Sequence, residues 1–287
     1  MLVGGIEAGG TKFVCAVTDG KNGIQERISM PTETPEQTMP RLFEYFDQFD
    51  HLDAIGLASF GPIDVNPKSK TYGSIIDTPK AGWEHYDILG AMKAHYPDTQ
   101  FAFTTDVNAA AYGELKMAAA DGLDSCVYLT VGTGIGGGVV EHGQILQGYS
   151  HPEIGHMLIR QQPEDSYEGT CPYHHNCLEG LAAGPAIERR WGKKGHLLPA
   201  DHQAWQMEAD YLAQACVNIA LMLSPERIVF GGGVSKQAQL FPMIRESFKR
   251  QMAGYVQTPD LDDYIVHVAL GDDAGITGAL LLAADQL

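Results

Sequence analysis

Two cysteines and two histidines lie within the seven positions from Cys171 to Cys177. Thiolate and imidazole groups in a tetrahedral arrangement are the ligands that zinc prefers. The spacing predicts a zinc ion held by His156, Cys171, His174 and Cys177, with His175 as a neighbour. Four protein ligands leave no open position for water, so this zinc is expected to be structural and to order its loop. The alternative is two incidental cysteines in a histidine-rich loop.

A second pattern overlaps this loop and has to be weighed against the first. His151-Pro152-Glu153 has the H-x-E spacing of zinc deaminases, whose other half is P-C-x-x-C. Here the proline follows Cys171, and the next cysteine lies six positions further on. The cysteine spacing therefore does not fit a deaminase.

Three carboxylates stand at positions where they could act on hydroxyl groups. Asp106 lies where a predicted strand ends and a predicted helix begins, a junction that faces the cleft in open α/β sheets. It could take a proton from a substrate hydroxyl, or it could be a helix N-cap or the neighbour of one. Glu153 and Glu179 flank the predicted zinc ligands and suit paired sugar hydroxyls. His156 could serve zinc with one ring nitrogen and a hydroxyl with the other.

Three glycine loops each lie against a run of β-type residues. They are Glu7–Lys12, Gly132–Gly138 and Gly231–Gly233. Glycine lets the backbone approach a ligand closely and point its N–H groups at phosphate oxygens. A single loop of this kind could simply build a tight hairpin, but three of them predict a nucleotide held from several sides.

Two better-known glycine motifs are excluded by their context. Gly5–Lys12 nearly spells a P-loop, but threonine precedes the lysine and the next stretch is β-branched. Gly132–Gly137 fits the letters of the dinucleotide fingerprint, which requires a helix directly after the glycines. Val139–Leu146 instead predicts strand, turn and strand. Both loops are therefore predicted to be hairpin tips, which argues against an NAD site.

The charge of the chain limits its partners. The 287 residues carry a formal net charge of −17, which argues against nucleic acid and anionic membrane surfaces, because both require basic patches. The sequence shows no signal peptide and no apolar run of membrane-spanning length, so we expect a cytoplasmic protein. Five cysteines, an odd number, do not indicate a disulfide framework.

The element order predicts an α/β protein of two similar lobes with a cleft between them. A hairpin, a third strand, helices and further strands occur once in each half of the chain. We expect an N-terminal lobe over 1–118 and a C-terminal lobe over 119–274, with a helix at about 275–287 packing back on the first lobe. The irregular stretch Gly148–Gly184, which contains the Cys/His residues, is expected to be functional.

These motifs together resemble the ROK sugar kinases of the hexokinase–actin–Hsp70 superfamily, over nearly the whole chain. The resemblance covers the three glycine loops, Glu153-Ile154-Gly155-His156 and Cys177-Leu178-Glu179-Gly180. It implies two actin/ribonuclease-H-like lobes. Glu7 at the start of the first loop, and a histidine in place of one zinc cysteine, are similar to the bacterial fructokinase branch. Thr105 departs from the asparagine of the family's glucokinases.

The resemblance also implies roles for individual residues. Asp106 is the expected catalytic carboxylate. The expected sugar-binding residues are Gly61, Asp106, Asn108, Glu153, His156 and Glu179. The expected nucleotide-binding residues are Gly9, Gly10, Thr11, Lys12, Thr133, Gly134, Gly184, Pro185, Gly231, Gly232, Gly233, Val234 and Ser235. ATP and Mg²⁺ are the expected cofactors, beside the structural Zn²⁺.

The activity that the resemblance implies is ATP-dependent phosphorylation of D-fructose to fructose 6-phosphate. The alternatives are a kinase for mannose, glucose or an N-acetylated aminosugar, and a non-catalytic sugar sensor of the same fold. Family members are commonly dimers, so a homodimer is expected. Because the chain begins at its first strand, we expect no DNA-binding domain of the kind that family repressors carry.

Overall fold

The computed structural model describes residues 1–21, 23–118 and 122–287. Within them the strands are β1 (Val3–Ala8), β2 (Lys12–Thr18), β3 (Ile24–Pro31), β4 (Ala54–Ser59), β5 (Gln100–Thr105), β6 (Cys126–Val131), β7 (Ile135–Glu141), β8 (Gln144–Ile145), β9 (Ile228–Gly231) and β10 (Ile265–His267). The α-helices are α1 (Pro35–Phe46), α2 (Ile88–His95), α3 (Asp106–Gly113), α4 (Leu178–Ala182), α5 (Gly184–Trp191), α6 (Ala204–Leu223), α7 (Leu240–Met252), α8 (Leu261–Tyr264) and α9 (Ala274–Ala284).

The residue contacts divide the chain into two units. Unit 1 contains Met1–Ala119, Ile145–His151 and Asp272–Leu287, and unit 2 contains Ala120–Gln144 and Pro152–Gly271. The main difference from the predicted lobes is the short segment 145–151, which belongs to unit 1 although its neighbours along the chain on both sides belong to unit 2.

Unit 1 is built on a five-stranded mixed sheet with the order β3-β2-β1-β4-β5. The first three strands are antiparallel neighbours, and β1, β4 and β5 run parallel. Every residue of β4 is buried, as expected for a parallel strand covered on both faces. The carboxyl ends of β4 and β5 therefore lie side by side and carry the loops that follow Ser59 and Thr105.

Helices α3 and α9 pack closely in unit 1, because glycines let their backbones approach. A Cβ at Gly278 would lie 1.7 Å from the carbonyl oxygen of Ala109, and one at Gly113 would lie 2.5 Å from that of Ala274. Gly56 of β4 is similarly close to α9, at 1.9 Å from the carbonyl oxygen of Ala279. The start of α3 is thereby fixed against both the sheet and α9.

Unit 2 repeats the same sheet plan with the order β10-β9-β6-β7-β8. Strands β6 and β7 form an antiparallel hairpin, and β6, β9 and β10 run parallel. The long helix α6 buries Trp205 and Tyr211 in the core of this unit, together with Phe248 of α7. The predicted architecture of two similar α/β lobes is confirmed in each unit taken by itself.

Several element boundaries differ from the predicted ones. The helix expected over Asn108–Ala120 begins at Asp106 and changes to a π-helical turn at Glu114–Ala118, and its predicted end lies outside the described residues. The stretch expected to be irregular contains a 3₁₀ turn, Ile154–His156, and the helix α4. Among the residues that the structure describes, no helix has both the length and the hydrophobicity that crossing a bilayer requires.

Candidate active site and metal centre

Asp106 is the first residue of α3 and follows directly after β5. The N-cap is its neighbour Thr105, whose side-chain oxygen accepts a hydrogen bond from the N–H of Asn108 at 3.1 Å. The Asp106 carboxylate accepts from the N–H of Val107 at 2.9 Å, and an anion is favoured at the start of a helix. Because Thr105 caps the helix, the position of Asp106 is not explained by capping.

Asn108 lies two positions after Asp106 on the same helix and is only 2% exposed. Its Nδ2 donates to the side-chain oxygen of Thr104 at 3.1 Å. Its Oδ1 is buried without a hydrogen-bond partner among the described residues. The side chain thus joins the first turn of α3 to the end of β5.

The first glycine loop is a tight turn between β1 and β2. The N–H of Gly9 donates to the carbonyl oxygen of Lys12 at 3.0 Å, and the hydroxyl of Thr32 donates to the carbonyl of Gly9 at 2.7 Å. A Cβ at Gly10 would lie 3.5 Å from Cε of Lys80. The turn therefore has a second lysine beside it, which no local pattern indicated because 70 residues separate it from Gly10.

Glu7, just before this turn, is anchored to the start of α9. Its carboxyl group accepts a hydrogen bond from the N–H of Ile276, and the absence of a side chain at Gly275 leaves room for it. Burial raises the pKa of Glu7, and the charges of Lys12 and Arg27 oppose that rise. Its Oε2 is buried and has no hydrogen-bond partner within the described parts of the chain.

In unit 2, three backbone segments converge around the second glycine loop. The N–H of Gly184, at the start of α5, donates to the carbonyl oxygen of Gly132 at 2.7 Å. The N–H of Val234 donates to the carbonyl of Val131 at 2.9 Å. A Cβ at Gly132 would lie 3.8 Å from the nitrogen of Gly233. The predicted nucleotide-binding loops of this unit are therefore neighbours, with Thr133 exposed at the tip of the β6–β7 turn.

The third glycine loop is held by its own residues. Gly232 has a φ of +86°, a conformation that favours glycine. The hydroxyl of Ser235, which is buried, donates to the carbonyl of Gly232 at 2.9 Å and also to that of Gly231. Ser235 therefore shapes the loop. Nearby, α5 begins with Pro185 in its first turn, and no side chain caps it. The N–H of Gly184 donates to the carbonyl of Gly132 and that of Ala186 to the carbonyl of Ala183, so backbone acceptors bind the first N–H groups of α5.

The four predicted zinc ligands are brought together in unit 2. Nδ1 of His156 lies 3.7 Å from Sγ of Cys171 and 3.6 Å from Sγ of Cys177, and Nδ1 of His174 lies 3.8 Å from Sγ of Cys171. Zinc bound tetrahedrally at its usual distances would place a sulfur and a nitrogen ligand about 3.6 Å apart. The group therefore fits zinc without rearrangement, and His175 is not part of it.

Burial disfavours the charged form of one of these thiols. Desolvation, with contributions from Cys171 and Glu179, raises the pKa of the Cys177 thiol to about 11. A bound cation would offset that cost, since zinc ligands bind as thiolates.

Glu179 connects the Cys/His loop to the second glycine loop. It lies two positions after Cys177, in the first turn of α4, and its Oε2 accepts from the N–H of Ile135 at 2.9 Å. A Cβ at Gly134 would lie 2.6 Å from that oxygen. The 3₁₀ turn that contains His156 also packs closely against β7. A Cβ at Gly155 would lie 1.7 Å from the carbonyl oxygen of Ile135. Glu153, just before this turn, is exposed.

The predicted site residues thus form two sets, one in each unit. Unit 1 contains Asp106, Asn108, Gly61 and the first glycine turn. Unit 2 contains the other two glycine loops, the Cys/His cluster, Glu153 and Glu179. Local sequence pattern and the family resemblance together predicted these residues, but neither indicated Lys80 or the bond between Glu179 and Ile135.

Comparisons of the sequence and of the structure with known proteins point to the same family. The model of the ROK family matches residues 3–286. A fructokinase of Pediococcus pentosaceus is 50% identical over 100% of this chain and 99% of its own length. A putative fructokinase of Bacillus subtilis is also 50% identical, over 100% and 96%. The crystal structure of a ROK hexokinase from Thermus thermophilus superimposes with a TM-score of 0.83 at 28% identity, covering 100% of this chain and 99% of that one. The predicted fold class is confirmed by this likeness.

Proposed function

The chain belongs to the ROK family, and we propose that it is a fructokinase that transfers the γ-phosphoryl group of ATP to the 6-hydroxyl of D-fructose. The observation that carries this proposal is the 50% identity to fructokinases over the full length of the chain. Mannose, glucose and N-acetylated aminosugars remain as alternative acceptors, because the same acids would serve them and only the shape of the pocket would differ.

Asp106 is proposed as the group that orients the acceptor hydroxyl and takes its proton. Its position at the end of β5 and the start of α3 is rigid, since α3 is packed on α9 and capped by Thr105. Phosphoryl transfer depends mainly on positioning and on stabilising charge, so a fixed carboxylate suits this role. A non-catalytic sensor would have no need of it.

The nucleotide is proposed to contact the glycine loops. In unit 2 the loops at Gly132–Gly134 and Gly231–Ser235 meet the start of α5, so that glycine backbone from three segments lies near one point. In unit 1, Thr11 and Lys12 belong to the turn that Lys80 also approaches. These two lysines supply positive charge in a chain whose net charge is −17.

Mg²⁺ bound with ATP would neutralise charge on the phosphate oxygens. The residue that best fits it beside the first glycine turn is Glu7. The buried Oε2 of Glu7 has no hydrogen-bond partner among the described residues, and a hard cation prefers carboxylate oxygen. Asp106 follows β5, whose carboxyl end lies at the same edge of the sheet as that of β1, with β4 between the two strands.

Zinc is proposed to bind His156, Cys171, His174 and Cys177 as a structural ion. The support is the chemistry of the ligand set and its fit to tetrahedral spacing. By fixing the loop, the ion would also fix Glu153 and Glu179, which we propose as sugar contacts together with His156, Gly61 and Asn108. Bound in this way, zinc takes no part in the transfer itself.

The remaining proposals concern partners and location. We propose a homodimer in the cytoplasm, where ATP is available, with a hexose as the only substrate besides the nucleotide. The net charge of −17 argues against nucleic acid or an anionic membrane as a partner.

A panel of sugars in a coupled assay of ADP release tests this function. Fructose should give the highest kcat/KM, and NMR of the product should place the phosphate on carbon 6. A higher kcat/KM for mannose, glucose or N-acetylmannosamine would replace fructose as the substrate. Sugar binding without ADP release would favour the sensor. Elemental analysis should give one zinc per chain, and its absence would remove the proposed structural ion.

A further inference from the structure

The segment 145–151, which we name the strap, is anchored to the loop that follows β4. Both the strap and that loop belong to unit 1. Most of the strap is exposed, and the side chain of Tyr149 is 92% exposed. Hydrophobic burial therefore does not explain where the strap lies, and its polar contacts must be considered.

His151 makes the first of these contacts. The backbone N–H of Ile63 donates to Nε2 of His151 at 3.4 Å. A Cβ at Gly61 would lie 3.8 Å from Cε1 of the same ring. In this contact Nε2 is the acceptor and the backbone of Ile63 is the donor. The imidazole thus lies directly against the segment 61–63.

Gln147 makes the second contact. Its Nε2 donates to the carbonyl oxygen of Val65. The side chains of Ile63 and Val65 are both buried in the core of unit 1, so the core holds these two residues from one side. The strap holds their backbone as well, because His151 accepts from the N–H of Ile63 and Gln147 donates to the carbonyl of Val65. Such a loop has little freedom to change its conformation.

We propose that His151 is a positioning residue for the acceptor sugar, because it fixes the backbone of segment 61–63 in the conformation that contacts the hexose. This inference rests on the proposed role of Gly61 in sugar binding. It gives a role to a histidine that lies outside the zinc ligand set, and it makes the strap a determinant of which hexose is accepted.

Two substitutions at one position test this role. His151→Leu removes the acceptor for the Ile63 N–H, whereas His151→Gln keeps an acceptor oxygen at about the same reach. We expect His151→Leu to raise the KM for fructose roughly threefold to tenfold, the effect of one lost hydrogen bond. The KM for ATP should stay within about twofold, since the glycine loops are untouched, and His151→Gln should restore most of the fructose KM.

The control for the strap is Tyr149→Ala, which removes an exposed side chain from the same segment and should leave all constants unchanged. Gln147→Ala provides a second perturbation of the anchored loop and should raise the fructose KM in the same direction. Thermal unfolding of each variant separates loss of folding from loss of sugar affinity. Wild-type fructose KM in both His151→Leu and Gln147→Ala would overturn the inference, as would an equal rise in the two substrate KM values.

Gly61→Ala distinguishes failure of this inference from failure of the proposed sugar site. The new Cβ would lie 3.5 Å from the nitrogen of Ile63, an ordinary contact, so the loop can accommodate it. If Gly61→Ala raises the fructose KM and His151→Leu does not, the sugar site stands and the role of His151 is rejected. If neither variant changes the fructose KM, the sugar does not contact this loop and both proposals fail.

Discussion

A side chain at Gly134 should displace the carboxylate of Glu179, and a double-mutant cycle can test this. A Cβ at Gly134 would lie 2.6 Å from Oε2 of Glu179 and 3.5 Å from its Cδ. The first distance is far inside van der Waals contact, so in Gly134→Ala the carboxylate has to move. The same oxygen accepts the 2.9 Å hydrogen bond from the N–H of Ile135, so we expect the movement to break this bond.

The expected magnitude follows from the bond that is lost. A hydrogen bond to a charged group contributes about 1.5–3 kcal/mol, which corresponds to roughly a tenfold to hundredfold loss in kcat/KM if the turn and the acid both act in the reaction. Glu179→Ala should cause a loss at least as large, because it removes a proposed sugar contact as well as this hydrogen bond. In the double variant the clash is gone, because both atoms near the new Cβ belong to Glu179. Gly134→Ala should then have little further effect.

The cycle is measured with the coupled ADP assay on four proteins, with fructose and ATP each varied. The coupling free energy should be at least about 1 kcal/mol, well above the scatter of independent sites. The Glu179→Ala background is the matched control for adding a methyl group to the turn, and thermal unfolding confirms that all four proteins fold. Strictly additive losses would refute the reasoning, since they would mean that the methyl group added by Gly134→Ala acts on the turn without displacing Glu179.

Three further predictions concern the acid, the metal and a buried carboxyl group. Asp106→Asn should lower kcat by about 10²–10⁴-fold and leave fructose binding, measured by calorimetry, nearly unchanged, and wild-type turnover would remove Asp106 from the mechanism. Cys171→Ser, or treatment with a strong chelator, should abolish the zinc content and lower the melting temperature by about 5 °C or more, and an unchanged melting curve without metal would contradict a structural ion. Glu208 is fully buried, and burial raises the pKa of its carboxyl group well above the ordinary 4.5. Its contribution to the stability of the fold is therefore fully present below pH 4.5 and is lost as the pH rises through the pKa of the folded protein. Glu208→Gln stays neutral and should therefore gain stability over the wild type as the pH increases from about 5 to 8, whereas parallel melting profiles for the two proteins would contradict the assignment.

The local structure of the candidate site could be predicted from sequence wherever short-range pattern decides it. The hairpin around Gly9 and Gly10, the β6–β7 turn and the Cys/His loop were all found from residue type and spacing within about ten positions. The start of α3 shows the limit of such reasoning. The sequence allowed Asp106 to be the cap or the neighbour of one, and only the structure assigns the cap to Thr105.

The contacts that were not predicted all join residues far apart in the chain. Lys80 reaches the turn at Gly10, Glu179 binds the N–H of Ile135, and His151 binds that of Ile63. No local periodicity encodes such pairs, because they form only when strands and loops have packed in three dimensions.

The sequence by itself determined the chemistry that is available: a carboxylate at a strand end, glycine turns, and thiol and imidazole groups at zinc spacing. It also determined the repeated element order of the two units, because hydrophobic period and turn residues act locally. Only the tertiary structure decided which of these groups support one another. The strap belongs to unit 1, and Glu179 is tied to the second glycine loop, because each of these hydrogen bonds depends on the folded positions of residues 44 to 88 positions apart.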